Sequence, residues 1–140
     1  YIYMKNEIKT LLNKGYKFVI VGIVSTILNY GIFAFLYQII NVHYILSSIT
    51  GYISGIILGY LLNKNWTFIT QIDKSKSYIV GYFTVYAISL VSSQAFLFLL
   101  VEFLLMNPLY ANIFSIVLST TTNFLGTNFF VFKNAGKTYA

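Results

Sequence analysis

The sequence contains no cysteine and no arginine, and its 140 residues include only three acidic side chains, one histidine and one proline. Without cysteine the chain has no disulfide framework, no thiolate nucleophile and no sulfur ligand for a metal. One histidine and three acids are too few to assemble a metal cluster or a nucleophile–base pair. An enzyme is therefore the least favoured class, and neither a metal nor a cofactor is expected.

Charge is scarce in general, because only 9% of the residues are charged while 58% are hydrophobic and 19% are aromatic. A soluble domain carries about 25% charged residues, so this chain cannot cover its surface with polar groups, and a bilayer is the expected solvent. The net charge of +6 would suggest nucleic acid in a soluble protein. Here the lysines flank apolar segments, so membrane lipids and not nucleic acid are the expected partners.

Long apolar runs are what the chain has in abundance. A membrane-spanning helix needs roughly 20 mostly apolar residues, and four segments qualify, at about 18–40, 44–62, 78–101 and 109–132. Tyrosine, tryptophan and phenylalanine are frequent at their ends, the depth that interfacial aromatics prefer. The sequence thus predicts an all-α, polytopic membrane protein in which residues 1–140 form a single domain of four spans.

The nine lysines predict the orientation of these spans. All nine lie before span one, between spans two and three, or after span four, and the other two loops contain none. The positive-inside rule places both termini and the central loop in the cytoplasm of a multi-pass protein of the cytoplasmic membrane. The start lacks the pattern of a cleavable signal peptide, and residues 5–14 are read either as a short interfacial helix before Gly15 or as a frayed basic tail.

A shift of 64 residues aligns the two halves of the chain without a gap. Residues 17–68 then face 81–132, with six identities but closely matched properties. Each half begins and ends on the cytoplasmic side, which predicts two parallel helix hairpins related by an axis along the membrane normal.

Small residues recur at every fourth position in span two, and their counterparts in span four do the same. Such spacing puts them on one helix face, where another backbone can approach closely. Four thin spans enclose little volume, so this packing could join two helices of one chain or two chains of a homo-oligomer. The residues predicted to pack in this way are Gly51, Gly55, Gly59, Ser115 and Ser119.

Uncharged polar residues lie within the spans as well. An amide facing lipid is costly, so Asn29 and Asn123 should face inward, either in an interhelical hydrogen bond or in a polar track. A track of hydroxyls and amides suits sugar hydroxyls, and it suits ion coupling poorly because no carboxylate lies mid-membrane. The candidate sugar-contacting residues are Ser25, Asn29, Ser89, Ser93, Thr122 and Asn123.

The inner end of span two carries an amide, a cation and an indole in close succession. Lys64 can hold a phosphate as a point charge, Asn63 can add an amide donor, and Lys17 lies at the same expected depth. Trp66 would sit among the lipid headgroups. The alternative interpretation is a positive-inside lysine beside an aromatic anchor.

Three stretches resemble the GtrA-like family of small four-span membrane proteins: KFVIVGIVSTILNYGIFAFLY in span one, GYLLNKNWTF closing span two and NFLGTNFFVF closing span four. The resemblance covers about residues 14–134, and Asn123 matches a polar position of the family. The family commonly repeats an amide–basic–aromatic end after its last span. Asn128 matches that end here, without its basic residue, which argues against a second phosphate site.

The resemblance implies flipping of polyprenyl-phosphate-linked sugar across the cytoplasmic membrane, for glycosylation of cell-surface polysaccharide or teichoic acid. Glycosyltransferases of the same pathway would be its partners. The resemblance is also compatible with a non-transporting membrane partner that docks or orients such a glycosyltransferase. A four-span drug exporter is disfavoured, because span one carries Asn29 and no glutamate.

Overall fold

The computed structural model describes residues 1–62 and 76–127, apart from the side chains of residues 11, 14, 18 and 76–79. Every regular element in these ranges is an α-helix, which confirms the predicted all-α class. The four helices are α1 (Ile2–Gln38), α2 (Tyr44–Leu62), α3 (Lys76–Glu102) and α4 (Pro108–Gly126).

The first helix is much longer than a bilayer requires. Its 37 residues rise about 55 Å, whereas the hydrocarbon core is about 30 Å thick. The interpretations of residues 5–14 as a separate interfacial helix or as a frayed tail are both wrong, because α1 runs through Gly15 without a break. One glycine inside a helix costs only about 1 kcal/mol, which is too little to interrupt the hydrogen bonds on either side.

The predicted repeat of 64 residues is present in the backbone. Helices α2 and α4 are both 19 residues long, and they begin and end 64 positions apart. Helices α1 and α3 also end 64 positions apart, at Gln38 and Glu102. Each helix packs mainly on its hairpin partner, α1 on α2 and α3 on α4. Two equivalent helix hairpins therefore make up the described chain.

The two hairpin turns share one conformation. Asn41 and Leu105, which are 64 positions apart, are the turn residues with positive φ, at 61° and 51°. The next amide in each turn closes back on the helix, from Val42 to the carbonyl of Leu36 and from Met106 to that of Leu100. This is the left-handed C-terminal cap that ends many helices. Asparagine tolerates that backbone conformation better than leucine does, so the second turn carries the greater strain.

Burial follows the repeat too. Eight of the nine buried positions in the first hairpin have a buried counterpart 64 residues later, Tyr44 being the exception. The apolar core lies at the turn end, where both hairpins contribute to it: Phe33, Tyr44, Leu97, Leu100 and Ala111. The two turns therefore lie at the same end of the bundle, and the hairpins run parallel as predicted.

Three of the described helices are long and apolar enough to cross a membrane: α1, α2 and α3 from Val80 onward. The described part of α4 does not meet the same criterion, because it includes Asn112, Ser115, Ser119, three consecutive threonines and Asn123. Large apolar side chains cover the outward faces of the helices, as lipid contact requires, with Phe83 69% and Val91 70% exposed. The chain is a helical membrane protein.

Candidate functional site

The glycine face of α2 packs directly on α1. A Cβ at Gly51 would overlap the carbonyl oxygen of Asn29, and a Cβ at Gly55 would lie 3.0 Å from the carbonyl oxygen of Ser25. At Gly59 the nearest atom would be the hydroxyl oxygen of Ser25, also at 3.0 Å. Only glycine allows two helix backbones to approach so closely at Gly51 and Gly55. The structure thus places the predicted glycine stripe inside the first hairpin.

Serines occupy the equivalent face of α4 in the second hairpin. Ser115 and Ser119 are buried against α3, and the hydroxyl of Ser89 donates to the carbonyl oxygen of Ser119 at 3.0 Å. The hydroxyl of Ser119 donates within its own helix, to Ile116. Ser115 Oγ is buried with no hydrogen-bond partner among the described residues. The second hairpin therefore has buried serines where the first has glycines, and the hydroxyl of Ser89 bonds the backbone of α4 there.

The predicted sugar track is divided between these two hairpin interiors. Asn29 is 8% exposed and lies against Gly51 and Gly55, with Ser25 one turn away. Ser89 and Ser93 are buried inside the second hairpin. The structure does not bring these two sets together into one continuous seam.

The remaining two members of the predicted track lie on α4. The hydroxyl of Thr122 donates within its own helix, to Leu118. Asn123 reaches across to the other hairpin, where its Nδ2 donates to the hydroxyl of Tyr52 at 3.3 Å, and the side chain of Ser89 also interacts with Tyr52. That hydroxyl donates in turn to the carbonyl oxygen of Tyr86 at 3.2 Å. Asn123 thus belongs to a contact between hairpins.

A second face of α2 meets the other hairpin through polar side chains at four-residue spacing, Tyr44, Ser48 and Tyr52. The hydroxyl of Tyr44 donates to Glu102 Oε1 at 2.7 Å. One turn deeper, Ser48 Oγ donates to Asn112 Oδ1 at 2.9 Å and accepts from Gln94 Nε2 at 3.1 Å. We call Ser48, Gln94 and Asn112 the junction cluster, because its three side chains come from α2, α3 and α4.

Sequence reasoning missed the junction cluster, although two signals were present. Tyr44, Ser48 and Tyr52 recur at four-residue spacing, and so mark a second helix face beside the glycines. Ser48 and Asn112 are also 64 residues apart, and a contact between repeat-equivalent positions places them beside the axis that relates the hairpins. A search for polar pairs at the repeat distance would have found them.

The lysine end lies opposite the turns. Lys17 is half-buried there, whereas residues 2–10 of α1, including Lys5 and Lys9, are exposed. Four of the predicted substrate-binding residues, Asn63, Lys64, Trp66 and Asn128, lie outside the described residues. Within the described ranges no group of three histidine, aspartate or glutamate side chains is placed to hold a metal ion.

Two parallel helix hairpins, apolar outside and joined by a polar junction, define a polytopic membrane protein of repeat architecture. The chain matches the family model described as GtrA/DPMS, transmembrane domain, over residues 17–132, and it belongs to that family. The predicted family is therefore confirmed.

A curated relative supports the membrane assignment. The chain is 31% identical over 143 aligned positions to a protein of Bacillus subtilis (strain 168) called uncharacterized membrane protein YngA, and the alignment covers 98% of this chain and 88% of the relative. No solved structure gives a significant match. Membership of the GtrA/DPMS family indicates involvement in polyprenyl-phosphate sugar processes, in a family that is generally non-catalytic.

Proposed function

We propose that the protein translocates a polyprenyl-phosphate-linked sugar from the inner to the outer leaflet of the cytoplasmic membrane, for glycosylation of cell-surface polysaccharide or teichoic acid. The observation that carries the proposal is the polar junction between two repeat-equivalent hairpins. Close backbone packing holds the first hairpin together, and the hydrogen bond from Ser89 to the carbonyl oxygen of Ser119 joins the helices of the second. The hydrogen bonds between hairpins, at Ser48 and Tyr52, are of the kind that sugar hydroxyls can replace.

The packing favours one order of events. The apolar core joins the hairpins at the turn end, so that end is closed in this structure. The positive-inside rule assigns the turn end to the outside, and the headgroup would accordingly approach from the lysine end. The phosphate would meet Lys64 and Asn63, with Lys17 nearby, while the polyprenyl tail stayed in lipid. Rocking of one hairpin against the other would then carry the sugar outward.

Net movement would need no chemistry in this protein. The described spans hold no carboxylate away from their ends, so coupling to an ion gradient is not favoured. Glycosyltransferases that consume the lipid-linked donor outside would instead draw it across the membrane. These enzymes are the partners we propose, together with a second copy of this chain if a homo-oligomer forms.

A second candidate function is that of a membrane module which docks a polyprenyl-phosphate glycosyltransferase without transporting anything. Gly22 and Gly31 favour it, because both lie on the outward side of α1 and a Cβ at either would meet nothing within 4 Å. Small residues facing lipid permit close approach by the helix of another protein.

Transport by the purified protein separates the two candidates. Liposomes would contain a fluorescent short-chain polyprenyl phosphate carrying one hexose, and an impermeant quencher would report how fast the label changes leaflets. We expect movement well above that in protein-free liposomes. Rates equal to those of protein-free liposomes, from correctly folded protein, would reject flipping and favour the docking module.

Lys64 gives the sharper test of phosphate capture. A charge-assisted hydrogen bond contributes about 1.5–3 kcal/mol, so Lys64→Ala should slow transport by about tenfold or more. Lys5→Ala is the matched control, because Lys5 is exposed in the first turns of α1, and it should leave the rate unchanged. If both variants transport at the wild-type rate, the phosphate is not held by Lys64.

A further inference from the structure

The junction cluster contains two polar groups that the described chain leaves unpaired. Asn112 is fully buried, and its Nδ2 has no hydrogen-bond partner among the described residues. The same holds for Oε1 of Gln94. The side-chain amides of Asn112 and Gln94 are both bonded to one oxygen, Ser48 Oγ. Their unpaired atoms, Asn112 Nδ2 and Gln94 Oε1, therefore both lie close to Ser48. A buried donor and a buried acceptor left open together destabilise the fold unless something pairs with them.

The number of open groups does not depend on how each amide is oriented. Exchanging oxygen and nitrogen in either amide changes which group faces Ser48, but each amide still has only one of its two ends bonded there. A single hydroxyl both accepts and donates a hydrogen bond. In the orientation that the structure shows, a hydroxyl is therefore the complement of the open N–H of Asn112 and the open oxygen of Gln94.

The position of the cluster separates it from the lysine end. Ser48 is the fifth residue of α2 and Asn112 the fifth of α4, so the cluster lies about one helical turn below the hairpin turns. Helix α2 rises about 21 Å from Ser48 to Leu62, and Lys64 follows Leu62 in sequence. A single sugar is much shorter than this distance, so one bound beyond the Leu62 end of α2 would not reach the cluster.

We propose that the junction cluster, Ser48, Gln94 and Asn112, is a second headgroup site that binds a hydroxyl of the lipid-linked sugar on the turn side of the bundle. This inference rests on the proposed function, because the ligand is the same polyprenyl-phosphate-linked sugar. Since Ser48 and Asn112 are repeat-equivalent, the site lies where the two hairpins would separate. Sugar binding would then replace hydrogen bonds that hold the closed bundle together.

The test measures binding and not transport. The full-length protein in detergent would be titrated with a short-chain polyprenyl phosphate carrying one hexose, and in parallel with the same lipid lacking the sugar. We expect the wild type to prefer the sugar-bearing lipid. Asn112→Leu should lower that preference by about tenfold, the usual effect of leaving a polar group unpaired, with no change in affinity for the sugar-free lipid.

A matched control lies one turn away on α4. Ser115 is also buried and unpartnered among the described residues but lies outside the cluster, so Ser115→Ala should keep the wild-type preference. If Asn112→Leu fails to fold, Gln94→Leu removes the open acceptor from a half-buried position and should show the same loss. Equal preference in the wild type and the cluster variants, or an equal loss of affinity for both lipids, would overturn the site and leave water or packing as the role of these side chains.

The same titration distinguishes failure of the site from failure of the proposed function. A wild-type protein that binds neither lipid refutes the proposed function together with the site. A wild type whose sugar preference survives in the cluster variants refutes the site alone. Binding that depends on the cluster in a protein that does not transport in liposomes supports the site and refutes only flipping.

Discussion

The two hairpins have the same backbone and different packing chemistry. The bounds of α2 and α4, the ends of α1 and α3, the turn conformation and most buried positions repeat at 64 residues, yet the face of α2 that packs on α1 carries glycines and the equivalent face of α4 carries serines. Glycine allows the backbone of α1 to contact that of α2 directly. In the second hairpin the serines are buried, and the contact between backbones is replaced by the hydrogen bond from Ser89 to the carbonyl oxygen of Ser119. The repeat thus fixes where residues pack, and the individual residues decide which force holds the helices together.

This difference extends to the contacts between hairpins. Helix α2 presents Tyr44, Ser48 and Tyr52 to the second hairpin, whereas α4 has Pro108, Asn112 and Ile116 at the equivalent positions. The hydroxyl of Tyr52 crosses to Tyr86 and Asn123, and Ile116 has no hydroxyl to make the related contact. On the other side of the axis the hydroxyl of Tyr30 donates to the carbonyl oxygen of Leu109 at 3.1 Å, so the two sides use different polar contacts. The protein keeps the symmetry of its backbone but not that of its polar groups.

The largest effect should come from adding one methyl group to the first hairpin. In Gly51→Ala the new Cβ would overlap the carbonyl oxygen of Asn29 and lie 2.8 Å from its side-chain oxygen. Backbone atoms cannot move aside as a flexible side chain does, so we expect a loss of about 2 kcal/mol in the free energy of unfolding. Unfolding of the purified protein by SDS, followed by circular dichroism, measures this loss.

The equivalent change in the second hairpin is the control. Ser115→Ala removes a buried hydroxyl that has no partner among the described residues, so stability should stay within about 0.5 kcal/mol of the wild type or rise. Equal losses for Gly51→Ala and Ser115→Ala would contradict the division between backbone packing and hydroxyl packing.

A middle-sized effect should follow from giving the first hairpin the chemistry of the second. In Gly55→Ser the added Cβ would lie 3.0 Å from the carbonyl oxygen of Ser25 and 3.2 Å from Cβ of Asn29. These contacts need a shift of only a few tenths of an ångström, so the same SDS titration should show a loss of about 1 kcal/mol.

The reciprocal change, Ser119→Gly, places glycine where the second hairpin has serine. The substitution retains the backbone carbonyl to which Ser89 donates. It should lower the free energy of unfolding by about 0.5–1 kcal/mol, because glycine has a lower helix propensity than serine. If Gly55→Ser is neutral, the close approach at Gly55 contributes nothing to stability.

Much of the fold could be predicted from the sequence, because lipid exposure and lysine placement leave a strong one-dimensional signal. The predicted second span, residues 44–62, coincides with α2, and the repeat was visible without a gap. The length of α1 was not predicted, since neither lysines nor Gly15 stop a helix that has left the bilayer. A helix is interrupted only where a cap or a turn replaces its hydrogen bonds, and the segment between Ile2 and Gln38 contains neither.

The site was harder to predict, because it depends on how each helix is rotated about its own axis. Polarity identified Asn29 and Ser89 as inward-facing, but it could not tell the interior of a hairpin from the junction between hairpins. Ser48 lies one turn from the start of α2, and a single polar residue at that depth is common in membrane helices. Only packing in three dimensions brings Gln94 and the buried amide of Asn112 to the hydroxyl of Ser48.

The smallest effect should distinguish two serines that the repeat makes equivalent. Ser89 donates to the carbonyl oxygen of Ser119 at 3.0 Å, whereas Ser25 Oγ is buried without a partner among the described residues. Hydrogen bonds inside membrane proteins contribute about 0.6 kcal/mol on average. Ser89→Ala should therefore lower the free energy of unfolding by about that amount, and Ser25→Ala should leave it unchanged or raise it. A larger loss for Ser25→Ala than for Ser89→Ala would mean that Ser25 bonds to a group outside the described residues, and that the first hairpin is not held by backbone packing alone.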